Sequence, residues 1–164
     1  MNINVFRIDD RLIHGQIITK WIKDANAKMI MVVDDKAAGD KTQQMILKFA
    51  VPAGIKLEIL SKEAAVKRVA EDTTNTNVLM LVRNPKEANA LVEMGLKVDR
   101  IIIGNISNSK SEVGRTKLLA YIYVEPADVE AIKSLNDKGI LLEVKAVPEE
   151  KAKNPMELIA KKYS

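Results

Sequence analysis

The chain contains no cysteine, which removes disulfides, thiolate metal sites and cysteine nucleophiles together. It has a single histidine, so a metal centre would have to be gathered from carboxylates on separate loops, and none is expected. No apolar run approaches the roughly 18 residues that a membrane-spanning helix needs. Aromatic residues are only 4% of the chain, too few for the stacking platform of a single-strand nucleic-acid binder. The amino-terminal stretch Met1-Asn2-Ile3-Asn4-Val5-Phe6-Arg7 lacks the basic head and apolar core of a secretory signal. A cytoplasmic protein is therefore expected, in which the sequon Asn105-Ile106-Ser107 has no meaning.

What is present fits one folded unit. The chain has 164 residues, of which 47% are hydrophobic and 29% charged, an ordinary balance for a globular protein. That length predicts a single domain over residues 1–164, with roughly two-thirds of the extended chain's surface buried on folding. The net charge of +4 favours an acidic or phosphorylated partner. The basic residues are scattered rather than clustered, which argues against nucleic acid.

Short, β-branched apolar runs recur at even intervals: Ile3-Val5-Ile8, residues 29–33, Ile55-Leu57-Ile59, residues 78–82 and residues 101–103. Such runs suit strands covered on both faces. Between them lie helical stripes. Ile17, Ile18, Trp21, Ile22 and Ala25 form one, with Trp21 read as core, and Met45, Ile46, Phe49 and Ala50 form another. Asn84-Pro85 reads as a cap followed by a first-turn proline, and Gly95 and Gly139 as helix stops. The alternation predicts an α/β fold: an open, mostly parallel twisted sheet with helices on both faces. Residues 118–124 and 140–147 read as further strands, either of which could be an antiparallel edge strand, and residues 154–161 as a last helix.

In such sheets ligands meet the loops at the carboxyl ends of the strands. The segments of interest are residues 9–15, 34–40, 82–85 and 104–115. The first is the most unusual: Arg7-Ile8-Asp9-Asp10-Arg11-Leu12-Ile13-His14-Gly15-Gln16. A neutral imidazole is a nucleophile near neutral pH. At the start of a helix it would sit among unpaired backbone N–H groups that favour an anion. Gly15 allows close backbone approach, Arg11 can hold phosphoryl oxygens through paired N–H bonds, and Asp9 or Asp10 can fix the imidazole tautomer. The plainer alternative is a helix-start histidine in a solvated turn. Asp34-Asp35 could shape the phosphate pocket or bind a cation and Arg83 could face the same rim, but the plainer reading of all three is as solvated loop residues; Gly104-Asn105 reads as a pocket wall or a turn. Gly39-Asp40-Lys41-Thr42 has the wrong order for a nucleotide loop, and no G-x-G-x-x-G follows a strand.

The segment from Arg7 to Gln16 resembles the active-site segment of the IIB components of the mannose/fructose/sorbose family of the sugar phosphotransferase system. The likeness continues through Val33-Asp34-Asp35 with Ala38 and Asp40, residues 50–57, Leu81-Val82-Arg83-Asn84-Pro85 and Gly104-Asn105. The resemblance implies a cofactor-free phosphoryl relay. His14 would accept phosphate from a phosphohistidine on a IIA component and pass it to a sugar entering through membrane IIC and IID components. Arg11 falls where the family places a phosphate-stabilising arginine. Arg7, Asp10, Gly15 and Gln16 would complete the phosphate-binding loop, and the protein would lie at the cytoplasmic side of the permease. Homo-oligomerisation stays open.

Two rivals frame this reading. A receiver domain would need an acceptor aspartate ending the third strand and a lysine ending the fifth, where this chain has Leu60-Ser61 and Gly104-Asn105. A non-catalytic module binding an anion or nucleic acid would carry no covalent phosphate and would bind with steep salt dependence.

Overall fold

The computed structural model describes residues 1–106 and 114–163. The elements run β1 (Asn2–Asp9), α1 (Gly15–Ala25), β2 (Met29–Val33), α2 (Asp35–Ala38), α3 (Lys41–Phe49), β3 (Lys56–Leu60), α4 (Lys62–Glu71) and β4 (Asn77–Val82). They continue with α5 (Pro85–Glu93), β5 (Arg100–Asn105), β6 (Thr116–Leu119), β7 (Ile122–Val124), α6 (Pro126–Asp137), β8 (Leu141–Val144) and α7 (Pro155–Tyr163). Among the described residues no helix is long and apolar enough to cross a membrane. Most of the expected 104–115 loop, and Ser107 of the sequon, lie outside the described residues.

Six strands form a parallel sheet in the order β3-β2-β4-β1-β5-β8. The chain moves toward one edge from β1 to β3, then reverses and moves toward the other edge through β4, β5 and β8. Right-handed crossovers place helices of opposite travel on opposite faces. The core divides accordingly. Ile18 and Trp21 of α1 and Leu47 of α3 pack on one face. Ala65 of α4, Leu91 of α5, Ile132 of α6 and Ile159 of α7 pack on the other. The central strands are apolar on both sides, as two covered faces require.

Local chemistry sets most of the helix ends. Asn84 accepts from the Glu87 N–H at 2.9 Å with Pro85 behind it, as its dipeptide predicts. Asp40, in the segment rejected as a nucleotide loop, caps α3 through the Gln43 N–H at 3.1 Å.

Two expectations need correction, and one open alternative is decided. Residues 118–124 are not one strand of the main sheet; they fall within the antiparallel pair β6–β7, which starts at Thr116 and meets the end of β5 through a bridge between Ile122 and Ile106. The edge strand β8 is parallel to β5, and its outer side is met by an antiparallel bridge from Lys153. The stripe Met45, Ile46, Phe49 and Ala50 points away from the core, while α3 rests on Leu47, Gln43 and Gln44. Helical spacing identifies a stripe but not what lies opposite it.

Two glycines show how tightly the carboxyl rim of the sheet is built. A Cβ on Gly104 would overlap the guanidinium of Arg7, whereas Gly15 has open space around it and is constrained only by its φ of +46°. Gly104→Ala is expected to lose about 1–3 kcal/mol through overpacking, and Gly15→Ala about 1–2 kcal/mol through left-handed strain. Urea unfolding of both variants checks this, and relief of the loss by a second substitution, Arg7→Ala, should occur only in the Gly104 background.

Lys62 bridges Asp35 (2.8 Å) and Glu87 (2.6 Å), tying α2, α4 and α5 together at that rim. Burial disfavours its charge, yet the hydrogen bonds to Asp35 and Glu87 outweigh this and raise its pKa. The same bonds lower the pKa of Asp35. A depressed carboxylate contributes stability that is present above its ordinary pKa near 3.9 and lost below it; a raised lysine contributes stability that is lost above about 10.4. Lys62→Met should therefore lower Tm by about 1–3 °C at neutral pH, a gap that closes in acid below about pH 4. Thermal melts across pH check it.

Candidate functional site

β1 lies between β4 and β5, with Ile8 level with Val82 on one side and Ile103 on the other. Because alternate residues of a strand share a face, Arg7 and Asp9 emerge together on the side covered by α1. Asp9 is fully buried and Arg7 is 1% exposed. Two guanidiniums close on the one carboxylate. Arg7 Nη1 donates to Asp9 Oδ2 at 2.5 Å. Arg11 donates its backbone N–H (2.9 Å) and Nε (3.2 Å) to Oδ1 and its Nη2 (3.3 Å) to Oδ2. Two cations around one anion leave a surplus positive charge, and it lies on the half-exposed side, where Arg11 is 33% exposed.

Arg7 is sunk below this pair. Its Nη2 donates to the Ala146 carbonyl (3.1 Å), its guanidinium lies 5.5 Å from the centre of the Trp21 ring, and its Nε has no partner among the described residues. Burial lowers its pKa, and Asp9 works against that lowering. Trp21 donates to the same Ala146 carbonyl at 3.0 Å and is buried, as its place on the helical stripe predicts. The structure thus places Arg7 beneath the loop as a support for Asp9.

From Asp9 the loop turns sharply. The Leu12 N–H bonds the Asp9 carbonyl at 2.9 Å, and Leu12 adopts a φ of +59°, a left-handed conformation that a leucine holds only when its surroundings impose it. Leu12 and Ile13 are both buried and anchor the turn. His14 follows with its ring exposed, in extended backbone at the start of α1. Among the described residues no side chain caps α1, and its first turn carries no acid, whereas Asp34, Asp40, Ser61 and Asn84 cap α2, α3, α4 and α5. The first N–H groups of α1 are thus open to an anion beside the imidazole. Gly15 and Gln16, the first residues of that helix, are exposed with it. Among the described residues no hydrogen bond reaches the His14 ring, so neither Asp9 nor Asp10 fixes its tautomer in this structure.

Asp10 instead faces the neighbouring strand. Its carboxylate accepts from Asn105 Nδ2 at 2.7 Å, and its N–H donates to the Asn105 carbonyl at 3.2 Å. Its own carbonyl accepts from Arg83 Nη1 at 3.2 Å, while Arg83 Nε donates to Asp34 at 3.0 Å. Asp34 also caps α2 through the Ala37 N–H at 2.9 Å. The reading of Asp34 and Arg83 as solvated loop residues is therefore corrected: Asp34 is buried, and the pair joins the loops after β1, β2 and β4. Asp35 is exposed, as expected. The missed signal is positional. Asp34 and Arg83 carry opposite charge, and each is the first residue after an apolar strand. Gly104 as the seat of Arg7 and Ala146 as its carbonyl partner have no comparable signature. Among the described residues no group of three His, Asp or Glu side chains could hold a metal ion.

The whole chain has relatives of this construction. The profile of the PTS system sorbose subfamily IIB component matches residues 3–164. The mannose-specific EIIAB component of the Escherichia coli phosphotransferase system is 35% identical over 163 residues, covering 98% of this chain and 49% of that protein. The chain therefore spans about half the length of that relative. The sorbose-specific EIIB component of Klebsiella pneumoniae is 31% identical, covering 97% of this chain and 96% of the other. The crystal structure of the IIBSor domain of the Klebsiella pneumoniae sorbose permease superposes with a TM-score of 0.91 at 31% identity over 98% of both chains. An Escherichia coli N-acetylgalactosamine-specific IIB component superposes at 0.87, with 25% identity, over 93% of this chain and 99% of that one. On sequence and on fold alike, the chain belongs to the sorbose-subfamily IIB components of the sugar phosphotransferase system.

Proposed function

We propose that this chain, as one IIB-type unit, accepts a phosphoryl group on His14 from a phosphohistidine of a IIA component and transfers it to a sugar during uptake through membrane IIC and IID components. The observation that carries the reading is the placement of the exposed His14 ring at the uncapped start of α1, three residues from an arginine whose guanidinium is held by a buried carboxylate. In the first step a neutral ring nitrogen of His14 attacks phosphorus as the N–P bond to the donor imidazole breaks. In the second a sugar hydroxyl attacks, the His14 N–P bond breaks, and the hydroxyl proton is released. The phosphoryl group in flight is loosely bonded to both sides, with charge on its equatorial oxygens. Catalysis is then mostly alignment and positive potential. Arg11 and the free N–H groups of α1 supply that potential. Gly15 and Gln16 form the wall of the phosphate site, and Arg7 acts through Asp9 without touching phosphate. Asp10 sets the loop against β5 through Asn105. The protein works at the cytoplasmic face of the permease, bound there by its membrane partners.

Transfer of labelled phosphate from a IIA partner tests this. His14→Ala should abolish labelling while leaving the Tm unchanged, since the ring is exposed and makes no hydrogen bond among the described residues. The label in the unaltered protein should be lost in acid and survive base. Stoichiometric labelling of the alanine variant would refute the assignment.

Arg11→Lys keeps the charge but not the planar fork, and should slow transfer by about tenfold or more. An unchanged rate would mean that Arg11 does not contact the phosphoryl group. Asp9→Asn removes the anion shared by two guanidiniums and leaves Arg7 buried and unpaired, with an expected loss of about 3–5 kcal/mol by urea unfolding.

A further inference from the structure

Helix α3 has its apolar stripe on the wrong side for a core. Met45, Ile46 and Phe49 are 60%, 63% and 85% exposed, and they are neighbours on one helix face. Among the described residues the other large exposed apolar side chains, Met94, Leu141 and Tyr163, are scattered: one just after α5, one in β8 and one in α7. Three such side chains together on an otherwise polar surface mark a place where something else binds.

Charge says what that is. The helix carries exposed Lys41 and Lys48 together along one edge of the apolar residues and has no acidic residue after its capping Asp40. The two long helices on that face of the sheet, α1 and α3, hold four lysines against one aspartate. The four helices on the opposite face hold seven cations against eight carboxylates. The short α2 and the caps between them set Asp34, Asp35 and Asp40 against Lys36, so the lysine surplus of this face is confined to α1 and α3, beside the exposed phenylalanine, isoleucine and methionine. Beside Lys48 a cavity of about 430 Å³ opens between the end of α3 and the edge strand β3, lined by Pro52, Ile55, Leu57 and Ile59. A recess of mixed lining, with Gln44 and Lys48 beside the aliphatic side chains, suits an amphiphile with an anionic head. A second copy of the chain would bring lysines against lysines across a two-fold axis, which disfavours that occupant.

We propose that the α3 face is a docking surface for an anionic phospholipid bilayer. Phe49, Ile46 and Met45 enter the boundary between headgroups and acyl chains, while Lys41 and Lys48 lie among the phosphates with their alkyl stems along the apolar surface. The surface is independent of the phosphoryl chemistry at His14.

The test is co-sedimentation of the full chain with vesicles of phosphatidylglycerol and phosphatidylcholine in equal parts, and with vesicles of phosphatidylcholine alone. Binding is expected to the anionic vesicles only and to weaken as salt is raised. The double variant Ile46→Ser/Phe49→Ser and, separately, Lys41→Glu/Lys48→Glu should each weaken it about tenfold or more. Labelling of His14 by a IIA partner should be unchanged in the serine variant, so the two functions fail separately. Since all four side chains are exposed, the variants should melt like the parent. Equal binding to both vesicles, binding to neither, or full binding by the serine variant overturns the proposal. A dimer in light scattering that the serine substitutions dissolve gives the face to a second copy, and loss of His14 labelling gives it to the protein donor. Either result also overturns the proposal.

Discussion

The site depends on a carboxylate placed where no water reaches it. A buried aspartate is tolerated only when opposite charges and hydrogen-bond donors satisfy its oxygens. Asp9 takes both from arginines two residues away on either side along the chain. The arrangement is asymmetric in depth: Arg7 is enclosed, while Arg11 reaches the surface. The surplus positive charge is therefore offered at one place, and Arg11 is held before any anion arrives. A guanidinium already oriented loses less freedom on binding phosphate than one that swings free.

The topology explains why that place is the mouth of the sheet. The reversal in strand order brings the ends of β1, β2, β4 and β5 together, and the loops leaving them hold one another through Asp34, Arg83, Asp10 and Asn105. Apolar anchors fix the turn from below, since Leu12 and Ile13 are buried beside the exposed His14. The left-handed backbone of Leu12 is the local cost of turning the chain out of a fully buried strand within a few residues. The most exposed residue of the loop is thus carried by some of the best-packed ones.

Much of this was legible in the amino-acid order, and the exceptions have physical causes. Evenly spaced β-branched runs and capping pairs such as Asn84-Pro85 report local geometry, and the sheet, the alternation and the helix starts follow from them. The unusual stretch from Arg7 to Gln16 marked the loop. The depth of Arg7 was not legible, because a charged residue on a strand reads as exposed until its partners are known. Those partners are a carbonyl at Ala146 and the empty side of Gly104, neither of which advertises itself. The outward stripe of α3 and the folding back of β6 on β7 were missed for a related reason. Periodicity describes one element, whereas burial and strand pairing are relations between two.

The carbonyl of Ala146 receives both Arg7 and Trp21, so the first strand is completed by backbone that lies beyond the last strand of the sheet. During synthesis the ribosome delivers the loop after β1 early and the carbonyl beneath it late. Until residue 146 is made, the nascent chain carries Arg7 and Trp21 without the carbonyl that accepts from both, so the packing beneath the loop is completed only when the stretch after β8 is in place.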